Sequence, residues 1–212
     1  MTKYMELEPI KSEVQDGICT RRCKITRFDG EVQTDVSTLW FQFDDSVQPP
    51  ADNDCDSYVL TTVMLAMKEG RDIRVKGSVS KQLLSNLVEY QSIWAKWLPE
   101  SYFFVDIAVD ELRQEYDPVP GAVCAFSGGV DATFSVWRHS QNKWGHRSQT
   151  INKCALVHGF DIPLANKDDF KSAGESAAKT LNDVGLDLVR IRTNIRNILR
   201  SINWEFCFGN AV

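Results

Sequence analysis

A short loop in the second half of the sequence combines residues that can hold a phosphate group. The segment Ser127-Gly-Gly-Val-Asp131 follows the apolar run Ala122-Val-Cys-Ala-Phe126 and precedes a stretch with helical spacing. A turn between a strand and a helix presents backbone N–H groups to an anion, and two glycines let the backbone approach closely. The Ser127 hydroxyl can donate to a phosphate oxygen. Asp131 would repel an anion unless a cation lay between them, so the loop indicates Mg²⁺ bridging a carboxylate and a phosphate.

The predicted carboxyl ends of two further strands carry residues that could contact a ligand. Val157, His158 and Gly159 follow one apolar run, and Arg192 lies near the end of another. In open α/β sheets, ligands bind outside the carboxyl ends of the strands, so we expect these residues beside the glycine loop. For His158, the alternative is ordinary packing within its loop. For Arg192, the alternative is exposure to solvent or an ion pair with Asp187.

The elements around these positions alternate regularly after residue 121. Apolar runs typical of buried parallel strands alternate with amphipathic helical stretches in the order β-α-β-α-β-α. The predicted strands are 122–126, 153–157 and 186–192, and the predicted helices are 132–139, 168–184 and 195–206. With right-handed crossovers, this order predicts an α/β fold with a doubly wound parallel sheet.

The first half of the chain has a different pattern. The predicted strands are 24–28, 38–43, 72–76 and 102–109, and the predicted helices are 57–69, ending at Gly70, and 81–97, capped by Ser80. The order β-β-α-β-α-β predicts a smaller α+β module. Because prolines and a glycine separate the two patterns, we predict an N-terminal module at 1–116, a linker at 117–121 and a second domain at 122–212.

The glycine loop also supports a family resemblance. Ser127-Gly-Gly-Val-Asp131 resembles the SGGxDS signature of the PP-loop ATP pyrophosphatases, the adenine nucleotide α-hydrolase-like superfamily. The resemblance covers residues 121–212 and is nearest in kind to stand-alone members such as 7-cyano-7-deazaguanine synthase, whose cysteine-rich zinc site has no visible counterpart. It implies a Rossmann-like, HUP-like sheet with ATP and Mg²⁺ as ligands. The implied reaction is attack of a substrate oxygen on the α-phosphate of ATP, with release of pyrophosphate.

The resemblance implies a role for each matching residue. Ser127 and Asp131 would act in the catalytic step, with Asp131 on the Mg²⁺, while Val157 and His158 would receive the adenine. The full set around the nucleotide is Ser127, Gly128, Gly129, Val130, Asp131, Thr133, Val157, His158, Gly159 and Arg192. Position 132 is Ala where the signature has Ser. A hydrogen bond to pyrophosphate is therefore expected to be missing unless Thr133 supplies it.

Composition limits the classes of protein. The chain has 212 residues and a net charge of −5, and it has no apolar run near the ~20 residues that span a bilayer. We therefore expect no membrane segment, and nucleic acid is an unlikely partner. The six cysteines lack the spacing of a zinc site, and the N-terminus lacks the apolar core of a secretion signal. Reduced thiols and a cytoplasmic location are the expectation.

The second domain is short for the family that it resembles. Three strands are predicted after residue 121, whereas such a sheet generally has about five. We therefore expect an incomplete sheet whose third strand has an unpaired edge, completed by a second copy or a partner chain. The expected function is an ATP-dependent, adenylating enzyme of the ligase or amidotransferase type with an unidentified small-molecule substrate. The alternative is a catalytically degenerate nucleotide-binding or assembly module.

Overall fold

In a computed structural model of the chain, eight strands form one sheet with helices packed on it. The structure describes residues 2–114 and 120–207. The strands are β1 (Lys3–Gln15), β2 (Ile18–Asp29), β3 (Val32–Asp44), β4 (Asp72–Ser80), β5 (Ile107–Arg113), β6 (Ala122–Ala125), β7 (Ile151–His158) and β8 (Asp187–Thr193). The helices are α1 (Asp56–Glu69), α2 (Lys81–Trp97), α3 (Val130–Ser140), α4 (Lys167–Asn182), α5 (Ile195–Ile198) and α6 (Trp204–Cys207). The fold is α/β.

Strand β1 near the start of the chain is not among the strands that the sequence pattern predicts. In β1, Met5 and Leu7 are buried, while most other positions are half-buried or exposed. The strand pairs antiparallel with β2, and its acidic residues Glu8 and Glu13 form ion pairs with basic residues of β2 at 3.1 and 2.8 Å. Such cross-strand pairs suit a strand with one polar face. The charged residues of β1 also interrupt the alternation of apolar residues by which a strand is recognised in a sequence.

The sheet order is β5-β4-β1-β2-β3-β8-β7-β6. Strands β6, β7 and β8 are parallel to one another, as the alternation of strands and helices predicts. Strand β3 then joins the two predicted segments, because residues 41–43 pair antiparallel with residues 191–193 of β8. The result is a single mixed sheet that both segments share. Within the predicted linker, residues 117–119 lie outside the described residues.

The edge of β8 is filled within the chain, so the expected unpaired edge of this third strand is wrong. Beyond the strand pairing, Asn194 at the end of β8 joins the same seam. Its side-chain oxygen accepts a hydrogen bond from Trp40 N at 2.9 Å, and its side-chain nitrogen donates to Thr38 O at 2.7 Å. No second chain is needed at this position, because the long strand β3 supplies the neighbour.

The larger core lies between the sheet and helices α1 and α2. It contains the buried apolar residues of β1, β2 and β4 together with much of α1. Both predicted helix caps are confirmed: Gly70 adopts the left-handed conformation with φ 59°, and Ser80 Oγ accepts a hydrogen bond from Leu83 N at 3.2 Å. These signals are local, and the packing agrees with them.

The end of the second segment packs on this larger core. The predicted helix over 195–206 is wrong as one element, since two four-residue helices, α5 and α6, occupy it. Ile195, Leu199 and Cys207 are buried in the same cluster as Met5 and Leu7. The chain therefore returns to the N-terminal module after β8.

A second, much smaller core lies under α3 and α4. Its buried members are Phe126, Val136, Cys154, Ala177 and Leu181. The expectation that β6 is a buried strand is wrong, because among the described strands β6 lies at the edge of the sheet, paired with β7 only, and Val123 is 67% exposed. An apolar run indicates a strand but not its place in the sheet.

Within the described ranges, no helix combines the length and apolar character needed to cross a membrane.

Candidate anion-binding site

The glycine loop connects β6 directly to α3. Phe126 is buried, and its N–H donates to Ala155 O at 2.8 Å, which fixes the start of the loop against β7. Gly128 has φ 79°, a conformation that residues with a side chain rarely adopt. Gly129 then caps α3 in an extended conformation, without a side-chain hydrogen bond to the cap. Because the cap residue has no side chain to accept from the first turn of α3, the N–H groups of that turn are left for an outside acceptor, as an anion site requires.

Ser127 and Asp131 are exposed on either side of this turn. Ser127 Oγ accepts a hydrogen bond from Gly129 N at 3.3 Å, which leaves the hydroxyl proton available to an acceptor outside the chain. Asp131 stands in the first turn of α3. The described residues contain no group of three or more His, Cys, Asp or Glu that could hold a metal. One carboxylate supplemented by phosphate oxygens and water nevertheless suits Mg²⁺, so the residues fit a metal that arrives with a phosphate ligand.

The next two positions of α3 face different ways. Ala132 packs against the second core, so the side chain that replaces the family's Ser is partly turned toward apolar residues. Thr133 is half-buried, and its N–H donates to Gly129 O at 3.0 Å within the first helical turn. The helix therefore begins directly after the glycines.

The end of β7 is built from side chains that already have partners. His158 is 1% exposed, its Nε2 lies 2.9 Å from Pro163 O, and its ring stacks on Phe170 at 4.3 Å between centroids. Gly159 donates its N–H to Ile162 O at 3.0 Å. These contacts correspond to the packing alternative for His158. Val157 is half-buried and packs against the larger core.

Gly159 is required by the neighbouring strand. Its φ is 107°, and a Cβ at this position would collide with the carbonyl oxygen of Thr193 at the end of β8. The backbone of β8 thus approaches Gly159 too closely for any residue with a side chain.

Arg192 lies on β8, directly opposite His158 in the register. Its Nη1 donates to Gln42 Oε1 of β3 at 3.3 Å, so the guanidinium takes part in the seam between β3 and β8. Since neighbouring strands are about 4.8 Å apart, Arg192 and the end of β6 are separated by roughly 10 Å across the sheet. The sheet places all candidate groups at one edge, but only residues 127–131 form an open, exposed cluster.

A cavity that the sequence did not indicate lies between the loops after β7 and β8. Its volume is about 380 Å³, and it is lined by Gly159, Phe160, Pro163, Leu164, Ala165, Thr193, Asn194, Arg196 and Asn197. Arg196 donates from Nη1 to Phe160 O at 3.0 Å and lies over the Trp204 ring. The only sequence signal for this cavity is that both loops follow predicted strands and so meet at one edge of the sheet.

No family model matches the chain, and neither the curated proteins nor the solved structures contain a match to it. The fold and the site define the class: an α/β protein with an exposed glycine loop at the start of a helix.

Proposed function

We propose that the protein binds ATP with Mg²⁺ at residues 127–131 and uses it to adenylate a substrate oxygen. The observation that carries the proposal is the loop itself, in which two glycines, a hydroxyl and a carboxylate surround the uncapped start of α3. The family resemblance of the same residues supports ATP as the source of the phosphate groups.

In the proposed reaction, the phosphates lie over the N-terminus of α3. The Ser127 hydroxyl donates a hydrogen bond to a phosphate oxygen, and the partial positive charge at the N-terminus of α3 favours the anion. The substrate oxygen bonds to the α-phosphorus while the bond from this phosphorus to the bridging oxygen breaks, so that pyrophosphate leaves. The metal, held by Asp131, would neutralise charge on the phosphates.

The second substrate would bind in the cavity between the loops after β7 and β8. That cavity opens at the same edge of the sheet, where ligands of open α/β sheets are found. Apolar residues such as Phe160 and Leu164 line it together with Arg196. It has room for a small molecule.

One observation favours the alternative function, a nucleotide-binding or assembly module without catalysis. Ala132 packs against the second core and has no hydroxyl, so the loop has one fewer donor for pyrophosphate than the related signature. A missing hydrogen bond to a charged acceptor costs about 1–3 kcal/mol. Binding could survive that loss more readily than catalysis.

The test is binding of Mg-ATP by calorimetry, followed by pyrophosphate release from ATP across a panel of metabolites. Asp131→Ala is expected to weaken Mg²⁺-dependent binding at least tenfold, about 1.4 kcal/mol, because it removes the metal's carboxylate. Asp168→Ala is the matched control, since Asp168 is an acidic residue in the first turn of α4, where no glycine loop precedes the helix.

The possible outcomes separate the two functions. Release of pyrophosphate with one metabolite supports the adenylating enzyme, and tight binding without release supports the module. Absence of ATP binding, or equal loss in Asp131→Ala and Asp168→Ala, contradicts both. Ala132→Ser should strengthen binding or turnover if the missing hydroxyl matters.

A further inference from the structure

Two cysteines lie side by side directly behind the glycine loop. Cys124 of β6 and Cys154 of β7 are opposite one another in the parallel register, and both contribute to the second core. Opposed residues on neighbouring strands are about 4.8 Å apart, within the 4.4–6.8 Å between Cα atoms that a disulfide spans. The two thiols therefore face the same side of the sheet at a separation that a disulfide can bridge.

The two thiols differ in their access to solvent. Cys154 is fully buried, whereas Cys124 is half-buried on the edge strand β6. Burial raises the pKa of both thiols, and the neighbouring Cys124 also contributes to raising the pKa of Cys154 to about 11. The thiolate fraction at neutral pH is consequently small, so reaction with an oxidant is slow but begins at the accessible Cys124.

We propose that Cys124 and Cys154 are a thiol modification site that closes to an intramolecular disulfide when the protein meets a peroxide. Cys124 loses its proton to solvent, and its sulfur attacks one peroxide oxygen. The O–O bond breaks, giving a sulfenic acid and water. The sulfur of Cys154 then attacks the sulfenyl sulfur, the S–S bond forms, and the S–O bond breaks with loss of a second water. Two thiols and one hydrogen peroxide thus give one disulfide and two waters.

The sheet edge allows the movement that this bond requires. A disulfide brings the two Cβ atoms to about 3.8 Å, roughly 1 Å closer than opposed strand positions. Strand β6 has four residues, β7 is its one partner in the part of the chain that the structure describes, and its register with β7 is irregular between Ala122 and Val123. It can therefore shift toward β7. Because Ser127 follows Cys124 by three residues, the bond would also fix the strand from which the glycine loop emerges.

The experiment is treatment of the full chain with hydrogen peroxide, blocking of the remaining thiols under denaturing conditions, and mapping of disulfide-linked peptides by mass spectrometry. The expected result is one linked pair, Cys124 with Cys154, and its reversal by dithiothreitol. Hydrogen exchange of the β6 amides should slow several-fold in the oxidised protein, because the bond suppresses local opening of the edge strand.

The second close pair of thiols is the matched control. Cys23 and Cys55 are near enough that Cys55 contributes to raising the pKa of Cys23, but both are fully buried. They should stay reduced under the same treatment. Cys124→Ser and Cys154→Ala should each abolish the linked pair, while Cys207→Ser should retain it. The proposal is overturned if peroxide leaves Cys124 as an unlinked oxidised thiol, or if the linked peptides contain Cys23 and Cys55 instead.

Discussion

The two hydrophobic cores of this protein differ greatly in size, and the candidate site belongs to the smaller one. The first core joins strands from β1 to β4 with α1, α2 and the terminal helices α5 and α6. Among the described residues, the second contains five buried residues, contributed by α3, α4, β7 and Phe126 after β6. Because stability follows buried apolar contact, the first core holds most of the folding free energy. The glycine loop therefore rests on the less stable of the two regions.

The two edges of the sheet show the same difference. The outer strand of the first region, β5, carries Asp110, Glu111 and Arg113, and charged residues discourage pairing with another chain. The outer strand of the second region, β6, consists of Ala, Val, Cys and Ala. The first region ends in a protected edge, whereas the second leaves an uncharged strand beside its site.

The comparison of cores is tested most strongly by Leu181→Ala. Leu181 is fully buried in the second core, and removing its side chain should cost about 2–5 kcal/mol. Hydrogen exchange should show lost protection in β6, β7, α3 and α4 while α1 and β1 stay protected. Leu65→Ala in α1 is the matched change in the first core, and it should lower protection throughout. Equal loss everywhere in both variants would show that the cores unfold as one unit.

The contact between β7 and β8 is tested by Gly159→Ala. The φ of 107° and the collision with Thr193 O should cost about 1–3 kcal/mol in strain, measured by denaturant unfolding. Gly185→Ala is the control, because Gly185 has φ 71° but no atom within 4 Å of a built Cβ. Its cost should stay near 1 kcal/mol. Equal losses of stability in the two variants would mean that the backbone at Thr193 moves away from the new Cβ without a loss of free energy.

The smallest effect is expected at the seam where the two regions meet. Asn194→Ala removes the hydrogen bonds to Trp40 N and Thr38 O, which should cost about 1–2 kcal/mol. Asn197→Ala is the control: Asn197 is exposed and lies three positions further along the chain, so its replacement should leave the free energy of unfolding nearly unchanged. Thermal unfolding followed by tryptophan fluorescence distinguishes them. An unchanged midpoint in Asn194→Ala would indicate that the strand pairing alone holds the seam.

Local signals in the sequence predicted local structure well. Gly70 and Ser80 mark helix ends because cap chemistry involves only neighbouring residues. The glycine loop was likewise expected between a strand and a helix, and this is its position. Strand β1 was missed because its polar face is balanced by cross-strand ion pairs that sequence periodicity does not reveal.

The candidate site residues show the same difference between features set by neighbouring residues and features set by long-range contacts. The exposure of Ser127 and Asp131 follows from their place in a turn. The burial of His158 against Phe170 depends on how α4 packs on β7, and the contact of Arg192 with Gln42 depends on a pairing between segments 150 residues apart. Such contacts form only when segments that are distant in the sequence pack together in the folded protein.

The sequence by itself determined the α/β class, the alternation of β6 to β8 with helices, and the glycine loop between β6 and α3, since each depends on residues within one or two elements. The tertiary structure decided that β3 pairs with β8, that α5 and α6 join the first core, and that β6 lies at an edge. An apolar strand can pair with any neighbour of suitable length. Which neighbour it takes is settled by the free energy of the whole packed sheet.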